Sequence, residues 1–130
     1  MDDLWGELNL KKISTPKSIL QEQAALLTNK TNGVLEGLVR TTSSGKELIT
    51  FFEIRVPLMD GYSFSVLRVH SSISVYPALL VDLVRNSQVK CGSEAEFKVT
   101  LRDLLSNPEV RNILSALISQ VSDEPKETPS

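Results

Sequence analysis

Three stretches of the chain place apolar residues at the spacing of an amphipathic helix. The first begins at Thr15-Pro16, where a capping hydroxyl precedes a proline that suits the first helical position. Asn32-Gly33 supplies the stop signal, so the pattern predicts a helix over 16–30 with one apolar face. The residues of that face are Ile19, Leu20, Ala24 and Leu27.

Two further helices are predicted towards the end of the chain. Ser93 followed by Glu96 has the form of a capping box, and apolar residues at helical spacing continue over 94–105. A strand is the alternative for 95–101, because the same residues also alternate between apolar and polar. Asn107-Pro108 starts the last helix in the same way as the first. Its apolar stripe consists of Val110, Ile113, Leu114, Leu117, Ile118 and Val121.

Between the first and second helices the pattern changes to that of strands. Residues 34–42 are rich in branched residues, and 48–56 is the clearest strand pattern in the chain. Leu48, Phe52, Ile54 and Val56 share one face of it, and Glu53 and Arg55 share the other. Asp60-Gly61 then predicts a hairpin. The strand 62–75 changes its apolar face midway, which predicts a bulge near Leu67-Arg68 or a turn at Ser71-Ser72. We interpret 77–84 as a buried strand, although its leucines also suit a helix.

This order of elements predicts an α+β fold. It has an N-terminal helix, a four-stranded antiparallel meander, and two C-terminal helices packed on one face of the sheet. The predicted division is an N-terminal extension over 1–14, a single domain over 15–121 and a disordered tail over 122–130. The tail is assigned because it contains two prolines and no apolar residue.

Composition and charge narrow the class of protein. The chain has 130 residues, of which 41% are hydrophobic and 23% charged, as expected of one globular domain. Lys and Arg number 14 and Asp and Glu number 16, and the acidic excess lies at the two ends. A near-neutral body argues against general nucleic-acid binding, and a weak local contact through Arg40, Arg55 and Arg68 is the remaining alternative of that kind.

The same features bear on localisation. The acidic N-terminus is followed by no apolar region of signal-peptide type, and no apolar run is long enough to cross a membrane. The single cysteine, Cys91, excludes an intrachain disulfide and fits a reducing compartment. We therefore expect a cytoplasmic protein without membrane association.

Residues that carry chemistry are sparse. His70 and Cys91 are the only histidine and cysteine, so a zinc site is not expected, and we predict no cofactor, no metal and no catalytic residue. Glycine-rich phosphate loops and the nucleophile elbow are absent from the sequence. Cys91 falls in a predicted loop between Lys90 and a helix N-terminus, which can activate a thiol, but an ordinary unreactive cysteine is the simpler interpretation.

Polar side chains along the strand 62–75 form the candidate binding surface. If this strand keeps one register, its tyrosine, arginine and histidine project to one side with Phe64 and Val66, and Arg55 lies on the neighbouring strand. Such a surface suits an acidic group or a partner peptide. The alternative places Phe64 and Val66 in the core and leaves the charged residues solvated. The predicted binding residues are Arg55, Tyr62, Arg68, His70 and Tyr76.

Small hydroxyl side chains in the same region suggest a further surface. They predict either a sheet edge that pairs with another chain or an ordinary solvated face. The serines concerned are Ser63, Ser65, Ser71, Ser72 and Ser74. The apolar stripe of the last helix is wider than one small sheet needs, which predicts a homodimer or higher oligomer through that helix or a sheet edge. Trp5, in the acidic N-terminal segment, is expected to fold back onto the domain or to dock onto a partner.

Taken together, these patterns predict a non-catalytic cytoplasmic module that binds another protein, as an adaptor, an immunity-type inhibitor or a small chaperone. Some small secretion and export chaperones share this layout, acidic balance and size, which is an analogy of architecture with no shared motif. One alternative is a small-molecule-binding protein or small enzyme, with a pocket between sheet and helices. Its polar lining would be Tyr62, Arg68, His70 and Tyr76. A weak nucleic-acid-binding domain is the other alternative.

Overall fold

The chain alternates from helix to sheet and back to helices. The structure is a computed structural model, and it describes residues 2–8, 10 and 12–122. A short 3-10 turn, Pro57–Met59, connects the second and third strands. The helices and strands are α1 (Pro16–Lys30), β1 (Glu36–Ser44), β2 (Glu47–Val56), β3 (Tyr62–Ser71), β4 (Ala78–Asp82), β5 (Ser87–Cys91), α2 (Glu94–Leu105) and α3 (Pro108–Ser122).

The strands form one antiparallel sheet in the order β1-β2-β3-β4-β5. The predicted α+β meander is therefore confirmed, but the prediction of four strands is wrong because it omits β5. Every residue of β5 except Cys91 is exposed, so this edge strand lacks the apolar alternation by which strands are recognised. The predicted tail lies outside the described residues, apart from Ser122 at the end of α3.

A β-bulge reconciles the two faces of the third strand. Phe52 pairs with Leu67, whereas Glu53 pairs with Ser65, so Val66 is an extra residue on β3. It lies one residue before the position predicted for the bulge. The extra residue shifts the alternation by one, and the apolar residues on both sides of it therefore face the same core. The strand ends at Ser71, so residues 72–75, predicted as its continuation, lie outside the sheet.

All three helices pack on one face of the sheet, which we call the inner face. α1 lies mainly over β1, and α2 lies over β4 and β5. Their buried side chains, with those of α3, belong to one core cluster. The largest fully buried residues of this cluster are Phe97, Leu20, Leu35, Leu67 and Leu80.

Glycine sets the distance between α1 and the sheet. A Cβ added at Gly37 would stand 2.5 Å from the Cα of Ala24, much closer than real Cβ contacts. The backbones of α1 and β1 therefore approach one another over Gly37, where no other residue fits without a shift of main chain. This contact fixes α1 above the β1 edge of the sheet.

Side-chain caps explain why the helices begin where they do. The Thr15 hydroxyl accepts a hydrogen bond from the Ser18 N–H at 3.1 Å, and the Ser93 hydroxyl accepts one from the Glu96 N–H at 3.2 Å. The Glu96 carboxylate in turn accepts from the Gly92 N–H at 2.7 Å. This satisfies amide groups that have no partner within the helix, and it favours the helix over the alternative strand at 95–101.

The apolar stripe of α3 is used within the domain. Val110 and Leu117 are buried, and the other four residues of the stripe are half-buried against the core. The stripe therefore packs against the core, and four of its six residues keep part of their surface accessible. Exposed apolar side chains occur elsewhere, including Leu26 on α1 and the N-terminal residues Leu4 and Trp5.

Candidate functional site

Three of the five predicted binding residues lie on the face of the sheet opposite the helices, which we call the open face. Arg55, Arg68 and His70 are on this face, since each pairs across the strands with a residue that points away from the core. Arg55 lies opposite Ser63 and Arg68 lies opposite Phe51. Four positions along β2 separate these two points, which is about 13 Å. The three residues therefore share a face without forming one compact site.

Two arginines of the open face are paired with glutamates. Arg55 Nη1 lies 2.7 Å from Glu36 Oε1, and Arg40 Nη2 lies 2.9 Å from Glu53 Oε2. The Arg40 guanidinium also stacks over the Phe51 ring, 4.3 Å from its centre. An arginine that already holds a carboxylate offers less to a phosphate or an acidic partner. This pairing lowers the case for a nucleic-acid contact through these arginines.

His70 joins two charged residues on the same face. Arg68 Nε donates a hydrogen bond to His70 Nε2 at 2.9 Å, and His70 Nδ1 lies 3.1 Å from Glu47 Oε2. With Nε2 as acceptor, the neutral tautomer that carries its proton on Nδ1 satisfies both contacts. The three side chains thus form a chain of hydrogen bonds on the open face, from β3 to the start of β2.

The two predicted tyrosines lie elsewhere. Tyr62 pairs with Val56, which places it on the inner face at the end of β3, half exposed and with its ring 6.3 Å from Phe64. Tyr76 follows β3 in a loop and packs against Phe97. The condition that β3 keeps one register fails at the bulge, so the five predicted residues do not come together.

The predicted serine surface is also divided. Ser63 and Ser65 lie on the open face, Ser71 is on the inner face, and Ser72 and Ser74 are in the following loop. β3 is the central strand, so these serines do not line a sheet edge. The edges of the sheet are β1 and β5.

A groove lies on the helix side of the sheet. It has a volume of about 630 Å³ and runs between α1 on one side and α2 with the start of α3 on the other. The sheet forms its floor through Phe52, Ile54 and Val66. The apolar residues of its walls are Ile19, Leu26, Leu27, Leu101, Leu105, Val110 and Leu114.

The rim of this groove is basic. Its charged residues are four bases and one acid, in a chain with more acids than bases overall. Lys98 is 3.0 Å from Glu94, whereas none of the ion pairs among residues 2–8, 10 and 12–122 involves the other three bases. The charged rim residues are Glu22, Lys30, Lys98, Arg102 and Arg111. The sequence patterns do not predict this site. The polar residues predicted to line a pocket between sheet and helices do not line the groove.

The N-terminal segment is anchored at the start of α2. The Tyr76 hydroxyl donates a hydrogen bond to the Ser14 carbonyl at 3.0 Å, and the Ser14 N–H donates to the Glu94 carboxylate at 3.4 Å. The hydrogen bond from Lys98 is the main cause that lowers the pKa of Glu94, and Ser14 contributes. Burial, and then the negative charge of Glu94, raise the pKa of Tyr76 to about 12.

The phenol of Tyr76 is expected to lose its proton only at strongly alkaline pH, and the protein is expected to become less stable as it does so. Its folded-state pKa of about 12 exceeds the ordinary value of 10.0, so folding favours the protonated phenol. The stabilisation is therefore complete below pH 10.0 and is lost as the pH rises towards about 12. A titration of phenolate absorbance should show a late step that is missing from Tyr76→Phe. Survival of that step in the variant would contradict the assignment to Tyr76.

Cys91 is a buried residue of β5 and does not lie in a loop as predicted. Its side chain is fully buried beneath α2. Burial is the main cause that raises the pKa of the Cys91 thiol, and nearby Glu96 raises it further, against a hydrogen bond with Thr100 that lowers it. Because the thiolate is the reactive form, this environment opposes a nucleophilic role.

We expect Cys91 to resist thiol reagents in the folded protein. Its modification requires local opening of β5, so the native chain should react at least about a hundred times more slowly than the chain in denaturant. Time courses with an aromatic disulfide reagent, with and without denaturant, give this ratio. Equal rates in the two conditions would show that the thiol is accessible in the native state.

The described part of the chain carries neither a metal-binding cluster nor a membrane-spanning helix. Residues 2–8, 10 and 12–122 contain no group of three or more His, Cys, Asp or Glu side chains placed to hold a metal ion. No helix within the same residues has the length and apolar character to cross a bilayer. Comparisons with models of protein families, with curated proteins and with solved structures find no match to this chain.

Proposed function

We propose that the protein is a non-catalytic protein-interaction module whose groove binds an acidic, apolar segment of a partner protein. The observation that carries this proposal is the combination of an apolar floor with a rim of four bases and one acid. Protein interfaces commonly have an apolar centre within a polar border. The centre supplies the burial that favours binding, and the border selects the charge of the partner.

The distribution of basic charge favours the groove over the open face. On the open face, Arg55 holds Glu36 and Arg40 holds Glu53. In the groove, Arg102 and Arg111 are exposed residues outside the ion pairs found in the described ranges. A carboxylate that approaches the groove therefore displaces fewer internal contacts. Arg55, Arg68 and His70 stay predicted binding residues, as a second and weaker contact surface.

The groove also fits the more specific roles predicted from the sequence. An adaptor, an immunity-type inhibitor or a small chaperone each needs a surface that recognises a segment of another protein, and the groove provides one. The single cysteine supports a reducing compartment, and we propose the cytoplasm. A homodimer through the part of α3 that follows Leu114, or through the edges β1 and β5, is compatible with this function, because only the start of α3 lines the groove.

The test is direct binding of a designed peptide. A fluorescein-labelled amphipathic peptide of about 15 residues, with leucines at helical spacing and glutamates elsewhere, serves as the acidic probe. Its matched control is the same peptide with lysine in place of each glutamate. We expect saturable anisotropy changes with the acidic probe and binding at least about tenfold weaker with the basic control. Equal binding of the two peptides, or none, would overturn the proposal.

A second candidate function is binding of a small anionic amphiphile in the same groove. The volume of about 630 Å³ lies within the range of ligand sites, and an apolar floor beside basic side chains suits an alkyl chain with a carboxylate. Thermal melting with a saturated fatty acid, compared with its alcohol, separates this candidate. Stabilisation by the acid alone favours it, and no shift with either removes it.

A further inference from the structure

The first residues of the chain have the chemistry that the groove selects. Residues 2–8, which we call the arm, contain three acids, Asp2, Asp3 and Glu7, and no base. Their large apolar side chains are exposed: Leu4 by 91%, Trp5 by 79% and Leu8 by 57%. Exposed leucine and tryptophan in such numbers on a small domain mark a segment that binds elsewhere. The arm is thus an acidic, apolar segment within the same chain.

The anchor of the arm lies where the walls of the groove begin. Ser14 is bound to Tyr76 and to Glu94, the first residue of α2. It also stands two residues before Pro16, the first residue of α1. The chain therefore leaves the domain between the starts of the two helices that form the walls. From this point the arm has only to fold back along the groove.

The length of the chain is sufficient for this contact. Nine positions separate Trp5 from Ser14, and an extended chain of that length spans about 30 Å. The walls are helices of 15 and 12 residues, which measure about 23 and 18 Å. A tether this short holds its end at an effective concentration near the millimolar range, which favours the arm of the same molecule over that of a second copy.

We infer that the arm occupies the groove of its own chain and competes there with an external acidic segment. This inference rests on the proposed function of the groove. The structure shows the arm released, with the groove open, and the inference adds a closed state in which Trp5 and Leu4 cover the apolar floor. Asp2, Asp3 and Glu7 then face the basic rim. An external partner has to displace the arm, so the closed state lowers its apparent affinity.

Trp5 is the only tryptophan, so its fluorescence reports the position of the arm in the unmodified chain. We expect acrylamide to quench Trp5 at least about twofold less in the wild-type chain than in Leu26→Glu/Arg102→Glu, which disables the groove. The matched control is Leu38→Glu/Lys90→Glu, which makes the same change of net charge on the open face and should behave as wild type. Equal quenching in all three proteins overturns the inference. Protection that is lost on about hundredfold dilution also overturns it, since the arm then occupies a second copy.

A competition experiment separates this inference from the proposed function. Leu4→Ser/Trp5→Ser disables the arm in the full chain and should bind the acidic probe about tenfold more tightly than wild type. Asp2→Asn, a change on the arm that leaves its apolar residues in place, should have a smaller effect. If wild type and the arm variant bind the probe equally, the arm inference fails and the proposed function stands. If the arm variant binds no probe, the proposed function fails and the inference with it.

Discussion

Substitution of Gly37 by alanine is expected to lower the free energy of unfolding by about 2–3 kcal/mol. The added Cβ would stand 2.5 Å from the Cα and 2.8 Å from the carbonyl oxygen of Ala24. Both are main-chain atoms, so the helix α1 has to move off β1 and the buried contacts of Ile19 and Leu20 loosen. Thermal or denaturant unfolding measures the effect, with a fall in midpoint of roughly 10 °C.

The control for this prediction is Gly92→Ala. There the nearest atom to an added Cβ is the Glu96 carboxylate oxygen at 3.3 Å, at the end of a flexible side chain, and the backbone is not left-handed. Its effect on stability should stay within about 1 kcal/mol, because the neighbour can give way. A Gly37→Ala protein as stable as Gly92→Ala would contradict the close contact between α1 and β1.

Two charge-introducing changes in the groove, Leu26→Glu with Arg102→Glu, are expected to weaken binding of the acidic probe at least about thirtyfold. One change removes an apolar contact, worth about 1 kcal/mol for a side chain that is half exposed, and both oppose the charge of the probe. Leu26 is 46% exposed and Arg102 is also exposed, so the fold should be retained. Anisotropy titration with the labelled probe measures the change, and circular dichroism checks the fold.

The open-face pair Leu38→Glu/Lys90→Glu matches the groove variant in its change of net charge. Leu38 is 40% exposed, and Lys90 lies on the open face because it pairs with Leu79. Binding by this variant should remain within about twofold of wild type. If it loses affinity as strongly as the groove variant, the effect reflects net charge and the groove has no special part in recognition.

The helices were the most predictable part of the fold because their signals are local. Thr15-Pro16 and Ser93 each mark a helix start, and the structure shows both hydroxyls accepting the expected amide hydrogen bonds. Asn32-Gly33 ends α1 through two residues with positive φ, 52° and 81°. These features depend on a few neighbouring residues, so the sequence alone is sufficient to locate them.

The sequence patterns do not predict the fifth strand, because it forms through a preceding turn and through hydrogen bonds to β4. Asp82 accepts hydrogen bonds from the N–H groups of Val84 and Arg85, and Asn86 adopts a left-handed φ of 57°. This turn directs the polar segment Ser87–Cys91 back along β4, which supplies the hydrogen bonds. A polar edge strand is stabilised by pairing more than by its own side chains, so apolar alternation does not reveal it.

The candidate site was also hard to predict from the sequence, because it depends on elements that are far apart along the chain. Arg55 and His70 were correctly placed on a charged sheet face, but the bulge at Val66 separates Tyr62 from them. The groove depends on the space between α1 and α2, which are far apart in sequence. Lys98 and Arg102 are spaced by one helical turn on α2. This spacing indicates a basic groove wall only when α1 is known to lie opposite.

Binding in the groove is tested most directly by following the backbone amide signals of the protein in NMR spectra while the acidic probe is added. We expect the signals that shift to lie along the walls of the groove, in residues 22–30 of α1 and 98–106 of α2 and its cap. Contradiction would be a set of shifts on the open face, centred on residues 51–55 of β2 and 63–70 of β3, with the groove signals unchanged.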